Sequence, residues 1–176
     1  MNDVVTPFPQ RQVRPLANDE LSQAAELLHR CWHDTYRRQL PSRLLSERTL
    51  DYWTDYLEQR RERCWLSWVG SRPAGLATVS TNCVDDLWVL RRYRRRGHGR
   101  ALLQVALEHI DARGFDFAQA GCEDFNEEAT AFFSHLDWQV IGREPLLGLV
   151  PGRQVEALVF SRPTRKSAEQ AQSAPA

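Results

Sequence analysis

Residues 84–103, VDDLWVLRRYRRRGHGRALL, constrain the fold more than any other part of the chain. The run begins as an apolar strand over residues 84–90, and a helix is predicted to open at Gly97-His98-Gly99. A strand that leads into a helix through small residues directs unpaired backbone N–H groups, and the positive end of the helix dipole, at one point. The sequence therefore predicts an anion site at this turn, with a diphosphate as its usual occupant.

The turn carries a short motif. Arg94-Arg95-Arg96-Gly97-His98-Gly99 resembles the pattern Gln/Arg-x-x-Gly-x-Gly/Ala of the GNAT N-acetyltransferase superfamily, and Leu87-Trp88-Val89 resembles the Leu-Tyr-Val of its central strand. Strand, motif and helix follow one another in register, and this makes the resemblance stronger than the glycine pattern alone. The alternative is a generic strand–turn–helix crossover with a basic surface turn.

The resemblance implies one α/β (α+β) domain. Its sheet would be mixed and mostly antiparallel, with about six to seven strands and about four flanking helices. It would splay between the strand at Val84 and the strand that begins at Phe115. We expect a flexible arm over residues 1–11, the GNAT domain over 12–162 and a disordered tail over 163–176, since the last segment has no aromatic or branched aliphatic residues.

Hydrophobic periodicity and turn residues give the order of elements. We predict strands over residues 12–16, 64–69, 74–80, 84–90, 115–122, 138–142 and 154–160. Helices are predicted to follow Asn18-Asp19 and to cover residues 46–60, 99–113 and 126–135, with Ser46 as the cap of the second.

The charge and composition of the chain argue against nucleic acid and membranes as partners. The formal net charge is zero, so no global field attracts nucleic acid or a membrane surface. A nucleic-acid role for the arginine cluster is disfavoured because Tyr93 is the only aromatic residue within it. No apolar run approaches the roughly 20 residues of a membrane span. The start of the sequence lacks the features of a signal peptide, and the four cysteines form no CxxC pair, so we expect reduced thiols and a cytoplasmic location.

The resemblance implies acetyl-CoA as the co-substrate, with no metal. The pantetheine arm would pair with the backbone of β-strand residues, and the diphosphate would lie on the amides of the motif. The implied cofactor-binding residues are Leu87, Trp88, Val89, Arg94, Arg95, Arg96, Gly97, His98, Gly99, Arg100, Asn126, Phe132 and Phe133.

One position departs from the family. In Asn126-x-x-Ala129-x-x-Phe132-Phe133, Phe133 stands where the family commonly has the tyrosine that protonates the leaving thiolate. The Gly-Phe that usually comes next is changed to Asp137-Trp138. Either water or another donor assists the thiolate, or the chain is a CoA-binding regulatory module with little catalysis.

Three carboxylates are candidates for the amine end of the reaction. Asp85 and Asp86 open the central strand and resemble the acidic pair of polyamine and related acetyltransferases; Glu123 ends a later strand. A carboxylate there would attract a cationic amine and accept its proton. Because neighbouring residues on a strand point to opposite faces, we expect only one of Asp85 and Asp86 to line the cleft. Both could equally be solvated strand-end carboxylates.

Tyr36 is the candidate for the acceptor wall. The segment that includes Trp32, Tyr36 and Pro41 resembles the first-helix exit of many GNAT proteins, although two aromatic residues four apart can also be simple core. We therefore expect acetyl transfer to a primary amine of a small, cationic molecule in a ternary complex. A peptide or protein amine is the alternative acceptor, and a homodimer is possible.

Overall fold

The computed structural model of the protein describes residues 11–146 and 155–165. The strands are β1 (Arg11–Pro15), β2 (Cys64–Val69), β3 (Arg72–Ser80), β4 (Cys83–Val89), β5 (Phe117–Glu123), β6 (Gln139–Pro145) and β7 (Glu156–Pro163). The helices are α1 (Leu21–Tyr36), α2 (Ser42–Glu47), α3 (Leu50–Glu58), α4 (His98–Ala112) and α5 (Glu127–His135).

The strands form one sheet in the order β1-β2-β3-β4-β5-β7-β6. All neighbours are antiparallel except β4 and β5, which are parallel because α4 lies between them in the chain. This parallel pair is joined only at Cys83–Gln119 and Val84–Ala120, after which the two strands diverge. The predicted mixed sheet with a splay at this place is confirmed.

A bulge in β4 lies at the start of the splay. Val84 pairs with Val79 of β3, and the next pair along β3 is Thr78 with Asp86. Asp85 is therefore an extra residue in β4, which bends the strand and changes the direction of the residues beyond it. Asp85 is exposed and Asp86 is buried, so the two neighbouring carboxylates lie in different surroundings, as expected for adjacent residues of a strand.

Helices cover the two faces of the sheet with separate cores. α1 packs against α3 on one face, over a core whose fully buried members include Leu28, Leu57, Leu66 and Leu76. α4 lies on the other face, where Leu102, Leu103, Ile110 and Phe160 are fully buried. β3 contributes side chains to both cores, since successive residues of a strand point to opposite faces of the sheet.

The helix predicted over residues 46–60 is two helices. α2 ends at Glu47 and α3 begins at Leu50, with the Thr49 side chain accepting a hydrogen bond from the Tyr52 N–H at 3.2 Å. Ser46 is not a cap; its hydroxyl donates to the Arg43 carbonyl within α2 at 2.8 Å. The described chain thus has five α-helices instead of about four.

The ordered domain continues to Thr164 at least. Its N–H donates to the Asp116 carbonyl at 2.9 Å and its hydroxyl to the Phe115 carbonyl at 2.8 Å. Most of the expected arm and tail, residues 1–10 and 166–176, lies outside the described residues, as does the part of the β6–β7 connection at 147–154. Among the residues that are described, none of the helices has the length and apolar character to cross a bilayer.

Candidate active site

The start of α4 presents its backbone to the open end of the splay. Gly97 is the N-cap residue, with a φ of +83° that favours glycine. Ala101 is the first residue whose N–H donates within the helix, to the Gly97 carbonyl at 3.1 Å. The amides before it therefore point out of the helix end, where the helix dipole favours an anion.

The arginines of the motif divide into two groups. Arg95, Arg96 and Arg100 are exposed, and no hydrogen bond or ion pair of their guanidinium groups is seen among the described residues. Arg94 instead donates through Nε to the Val89 carbonyl at 3.0 Å and through Nη1 to Glu128 of α5. His98, only 2% exposed, lies inside the fold beside Tyr93.

The helix after β5 brings three further predicted residues to this region. The Asn126 side chain caps α5 by accepting the Ala129 N–H at 3.2 Å. Phe132 is half-buried, and a Cβ on Gly99 would meet its ring at 3.2 Å, so the two elements touch here. Phe133 is 5% exposed and stacks on Phe160 at 5.1 Å, so its ring is part of the core.

Asp86 is a buried carboxylate that accepts from three side chains. Tyr56 donates from its hydroxyl at 2.7 Å, Trp88 from its indole N–H at 3.1 Å, and Thr78 from its hydroxyl. Burial, followed by the charge of Asp86, raises the pKa of Tyr56. Asp86 is 9% exposed, and its ring of donors leaves little room for a substrate group.

Sequence reasoning did not single out Tyr56. It lies between Trp53 and Leu57, the two buried residues of α3, so it was not distinguished from the packed face of that helix. A polar aromatic residue beside a buried stripe was the only available signal, and such residues usually find a partner.

Glu123 and Tyr36 come together across the splay. The Tyr36 hydroxyl, at the end of α1, donates to Glu123 Oε1 at 2.6 Å. Its ring meets Trp88 of β4 and Phe125 edge-on, each at 6.1 Å between centroids. Tyr36 is 6% exposed, and this burial, followed by the charge of Glu123, raises its pKa. The hydroxyl therefore keeps its proton and remains a hydrogen-bond donor.

A cavity of about 270 Å³ lies at the divergence of the strands. Its lining combines two carboxylates with small and apolar side chains: Cys83, Val84, Asp85, Gly121, Cys122, Glu123, Leu146 and Ala157. Asp85 accepts from the Ser80 hydroxyl at 2.8 Å. Partial burial of its carboxyl group, with a further contribution from the charge of Asp86, raises its pKa.

The carboxylates near this cavity are not held in ion pairs by the residues that the structure describes, although the charge of Arg60 acts to lower the pKa of Asp85. Within the described parts of the chain, Asp85, Asp86 and Glu123 form no ion pair. All four cysteines are free thiols, and burial is the main cause that raises the pKa of Cys83 to about 11. Across the same residues, no group of three or more His, Cys, Asp or Glu side chains is arranged to hold a metal ion.

Residues 22–138 match the Acetyltransferase (GNAT) family, and the chain belongs to that family. It is an acetyl-CoA-dependent N-acetyltransferase, which transfers an acetyl group to an amine. The splay fits acetyl-CoA: it offers the amides at the α4 N-terminus, exposed arginines beside them and the divergent edge of β4.

Solved structures share the fold at low sequence identity. An N-acetyltransferase from Staphylococcus aureus Mu50 is 15% identical with a TM-score of 0.70, covering 89% of this chain and 99% of its own. The Salmonella typhimurium protein yncA, solved with its cofactor acetyl-CoA, is 16% identical (TM-score 0.69; coverage 88% and 94%). The ribosomal-protein-S18-alanine N-acetyltransferase of Escherichia coli is 17% identical (TM-score 0.64; coverage 88% and 94%). No curated protein is similar enough in sequence to be recognised as a relative.

Proposed function

We propose that the enzyme acetylates a primary amine of a small, cationic molecule, by direct attack while both substrates are bound. The observation that carries this proposal is the cavity at the splay, where Asp85 and Glu123 line a small space and form no ion pair with any described residue. Unpaired carboxylates in a partly enclosed site attract a cation more strongly than they would in water.

Glu123 is the proposed base. One hydrogen bond, from Tyr36 to Oε1, holds the carboxylate, and no described side chain donates to Oε2. The group also borders the cavity, whereas Asp86 is enclosed by its three donors. Glu123 therefore accepts a proton from the ammonium group of the acceptor, a role for which a carboxylate in contact with the cavity is suited. The neutral nitrogen then attacks the thioester carbonyl carbon, the C–S bond breaks as the amide forms, and CoA leaves as a thiolate that takes a proton from water.

Asp85 and Asp86 have separate proposed roles. The bulge turns the Asp85 carboxylate to the cavity, where it attracts the cationic acceptor. Asp86 holds the Trp88 indole, whose ring meets Tyr36, and so it keeps the acceptor wall in place.

The acyl donor is bound by groups at the open end of the splay. The amides at Gly97 to Arg100 and the exposed side chains of Arg95, Arg96 and Arg100 would hold its phosphates. The edge of β4 at Leu87 to Val89, apart from the Val89 carbonyl that Arg94 already contacts, would pair with the amide groups of its pantetheine chain. Acetyl-CoA supplies an activated thioester, and holding it beside the amine replaces a bimolecular encounter.

A cytoplasmic location is part of the proposal. All four cysteines are free thiols, as expected in a reducing compartment. The possible homodimer remains a prediction from the sequence.

Release of CoA from acetyl-CoA in the presence of an amine panel tests the acceptor class. The panel compares polyamines, aminoglycosides, amino acids and peptides. We expect turnover with small cationic amines, and a KM for the amine raised about tenfold in Asp85→Asn with little change in the affinity for CoA. Turnover confined to peptides would establish the alternative acceptor, and no turnover with any amine would contradict the proposal.

A further inference from the structure

We propose that Arg94, the first residue of the glycine motif, is a positioning residue that holds β4 and β5, the two strands of the splay, at a fixed spacing. Its guanidinium group donates a hydrogen bond to the Val89 carbonyl, which the divergence of β4 and β5 leaves unpaired. The same group also bonds to Glu128 in the first turn of α5. This assignment rests on the proposed binding of the acyl donor in the splay, and it does not depend on the acceptor amine.

The free carbonyl is a consequence of strand geometry. The N–H of Leu90 donates to the Ala74 carbonyl of β3 at 2.9 Å, so the backbone groups of Leu90 face β3. Backbone groups alternate in direction along an antiparallel strand, and those of Val89 therefore face away from β3. On that side β5 would normally pair, but its ladder with β4 ends at Val84 and Ala120.

Arg94 fills this gap with a side chain. Its Nε donates to the Val89 carbonyl at 3.0 Å, in a charge-assisted bond that satisfies a group which otherwise needs a partner. The same guanidinium group forms an ion pair with Glu128. Glu128 lies in the first turn of α5, directly beyond the end of β5. One planar group thus links the end of β4 to the helix that follows the end of β5.

The neighbouring arginines show that this arrangement is particular to Arg94. Arg95, Arg96 and Arg100 belong to the same loop, yet they are exposed and their side chains make no hydrogen bond or ion pair in the described chain. A guanidinium group already held on two sides is poorly placed to reach a phosphate, whereas its free neighbours can. The basic residues of the motif are therefore divided between shaping the site and binding the anion.

Equilibrium binding of CoA, measured by calorimetry at several salt concentrations, separates the two roles. A residue that contacts phosphate contributes to the salt dependence, and its loss makes that dependence shallower. We expect Arg94→Ala to weaken CoA binding about tenfold with the salt dependence of the wild type, since about 1.4 kcal/mol is tenfold. Arg96→Ala should instead give a shallower dependence.

Two glutamates provide a matched comparison. Glu128→Gln should weaken CoA binding about threefold, and the double variant with Arg94→Ala should be no weaker than Arg94→Ala alone, because the two residues act through one contact. Glu127→Gln removes the same charge from the preceding residue, which is exposed and has no ion pair among the described side chains, and it should leave binding unchanged.

Arg94→Lys is a more conservative variant that tests the same contact if Arg94→Ala does not fold. Lysine keeps the charge but cannot hold the Val89 carbonyl and Glu128 with one planar fork, so an intermediate loss of affinity is expected. Thermal unfolding of each variant confirms that the native fold is present.

The proposal is overturned if Arg94→Ala makes the salt dependence shallower, which would identify a phosphate contact. It is equally overturned if binding is unchanged or tighter, or if Glu127→Gln and Glu128→Gln weaken it equally. Failure to acetylate any amine with intact CoA binding would count against the proposed function and leave this assignment standing.

Discussion

Two tyrosine–carboxylate pairs flank the splay, and the difference between them decides which carboxylate is suited to chemistry. Tyr56 donates to Asp86, which also receives two further hydrogen bonds. Tyr36 donates to Glu123, for which no other side-chain donor is present in the described chain. A carboxylate with several donors is held in place, and one with a single donor keeps an oxygen for the substrate.

Asp86→Asn tests the structural side of this distinction. The variant replaces an acceptor-only carboxylate with an amide that also donates, although the Trp88 indole can only donate. We expect the free energy of unfolding to fall by about 1–3 kcal/mol. Chemical denaturation measures this loss, and an unchanged midpoint would show that the three hydrogen bonds are not important to the fold.

Phe133→Tyr tests the position that lacks the family's hydroxyl. The Phe133 ring packs among Phe160, Trp138 and Phe132 inside the core. A hydroxyl added there enters a packed apolar region, so we expect a loss of about 1–3 kcal/mol in stability and no gain in turnover. A large rise in kcat would show instead that the missing hydroxyl limits the wild-type enzyme.

At the scale of the element, the entry to α1 depends on Glu20. Its side chain accepts from Arg14 of β1 and from the Ala17 N–H at 3.1 Å. The hydrogen bond from Arg14 is the largest cause that lowers the pKa of Glu20 from its ordinary value of 4.5. The folded protein therefore binds this proton less readily than the unfolded chain does.

Glu20 thus makes part of the stability sensitive to acid. A lowered pKa contributes stability that is fully present above about pH 4.5 and is lost as the pH falls through the lowered value. We expect Glu20→Gln to be less stable than the wild type near neutral pH, with a difference that shrinks below pH 4.5. Thermal unfolding at a series of pH values measures it, and a constant difference would contradict the linkage.

Thr49 is the cap that separates α3 from α2. Removing a threonine cap costs about 1 kcal/mol in typical helices, so we expect that loss of unfolding free energy for Thr49→Ala. Ser46→Ala is the matched control, because the Ser46 hydroxyl bonds within its own helix and should cost much less. Equal losses from the two variants would indicate that the break between the helices is not set by the cap.

These elements also show what the sequence can predict. The strand–turn–helix over residues 84–103 is indicated locally, by a mostly apolar strand and by glycine at the helix start, so its position could be predicted; the fold followed from the resemblance of this stretch to a known family. The break at Thr49 could not, because Ser46 and Thr49 are both acceptable caps and tertiary packing selects between them. The bulge at Asp85 could not be predicted either, since it depends on the pairing register of β4 against β3.

At the scale of the whole molecule, the site depends on contacts between distant parts of the chain. Tyr36 and Glu123 are 87 residues apart, and Arg94 and Glu128 are 34 apart, yet each pair joins elements on either side of the splay. The sequence identified Tyr36, Glu123 and Arg94 as candidates, largely through the family resemblance, but it did not identify Glu128, and only the fold brings the residues into pairs. The partition of the arginines between anion binding and positioning has the same origin.

We propose that acetyl transfer occurs at the splay with Glu123 as the base. The most direct test of this proposal is the rate of acetyl transfer by Glu123→Gln with an amine that the wild type acetylates, beside the affinity of the variant for CoA. We expect kcat/KM for the amine to fall about 10²–10⁴-fold with CoA affinity unchanged. A variant that transfers acetyl groups at the wild-type rate would contradict it.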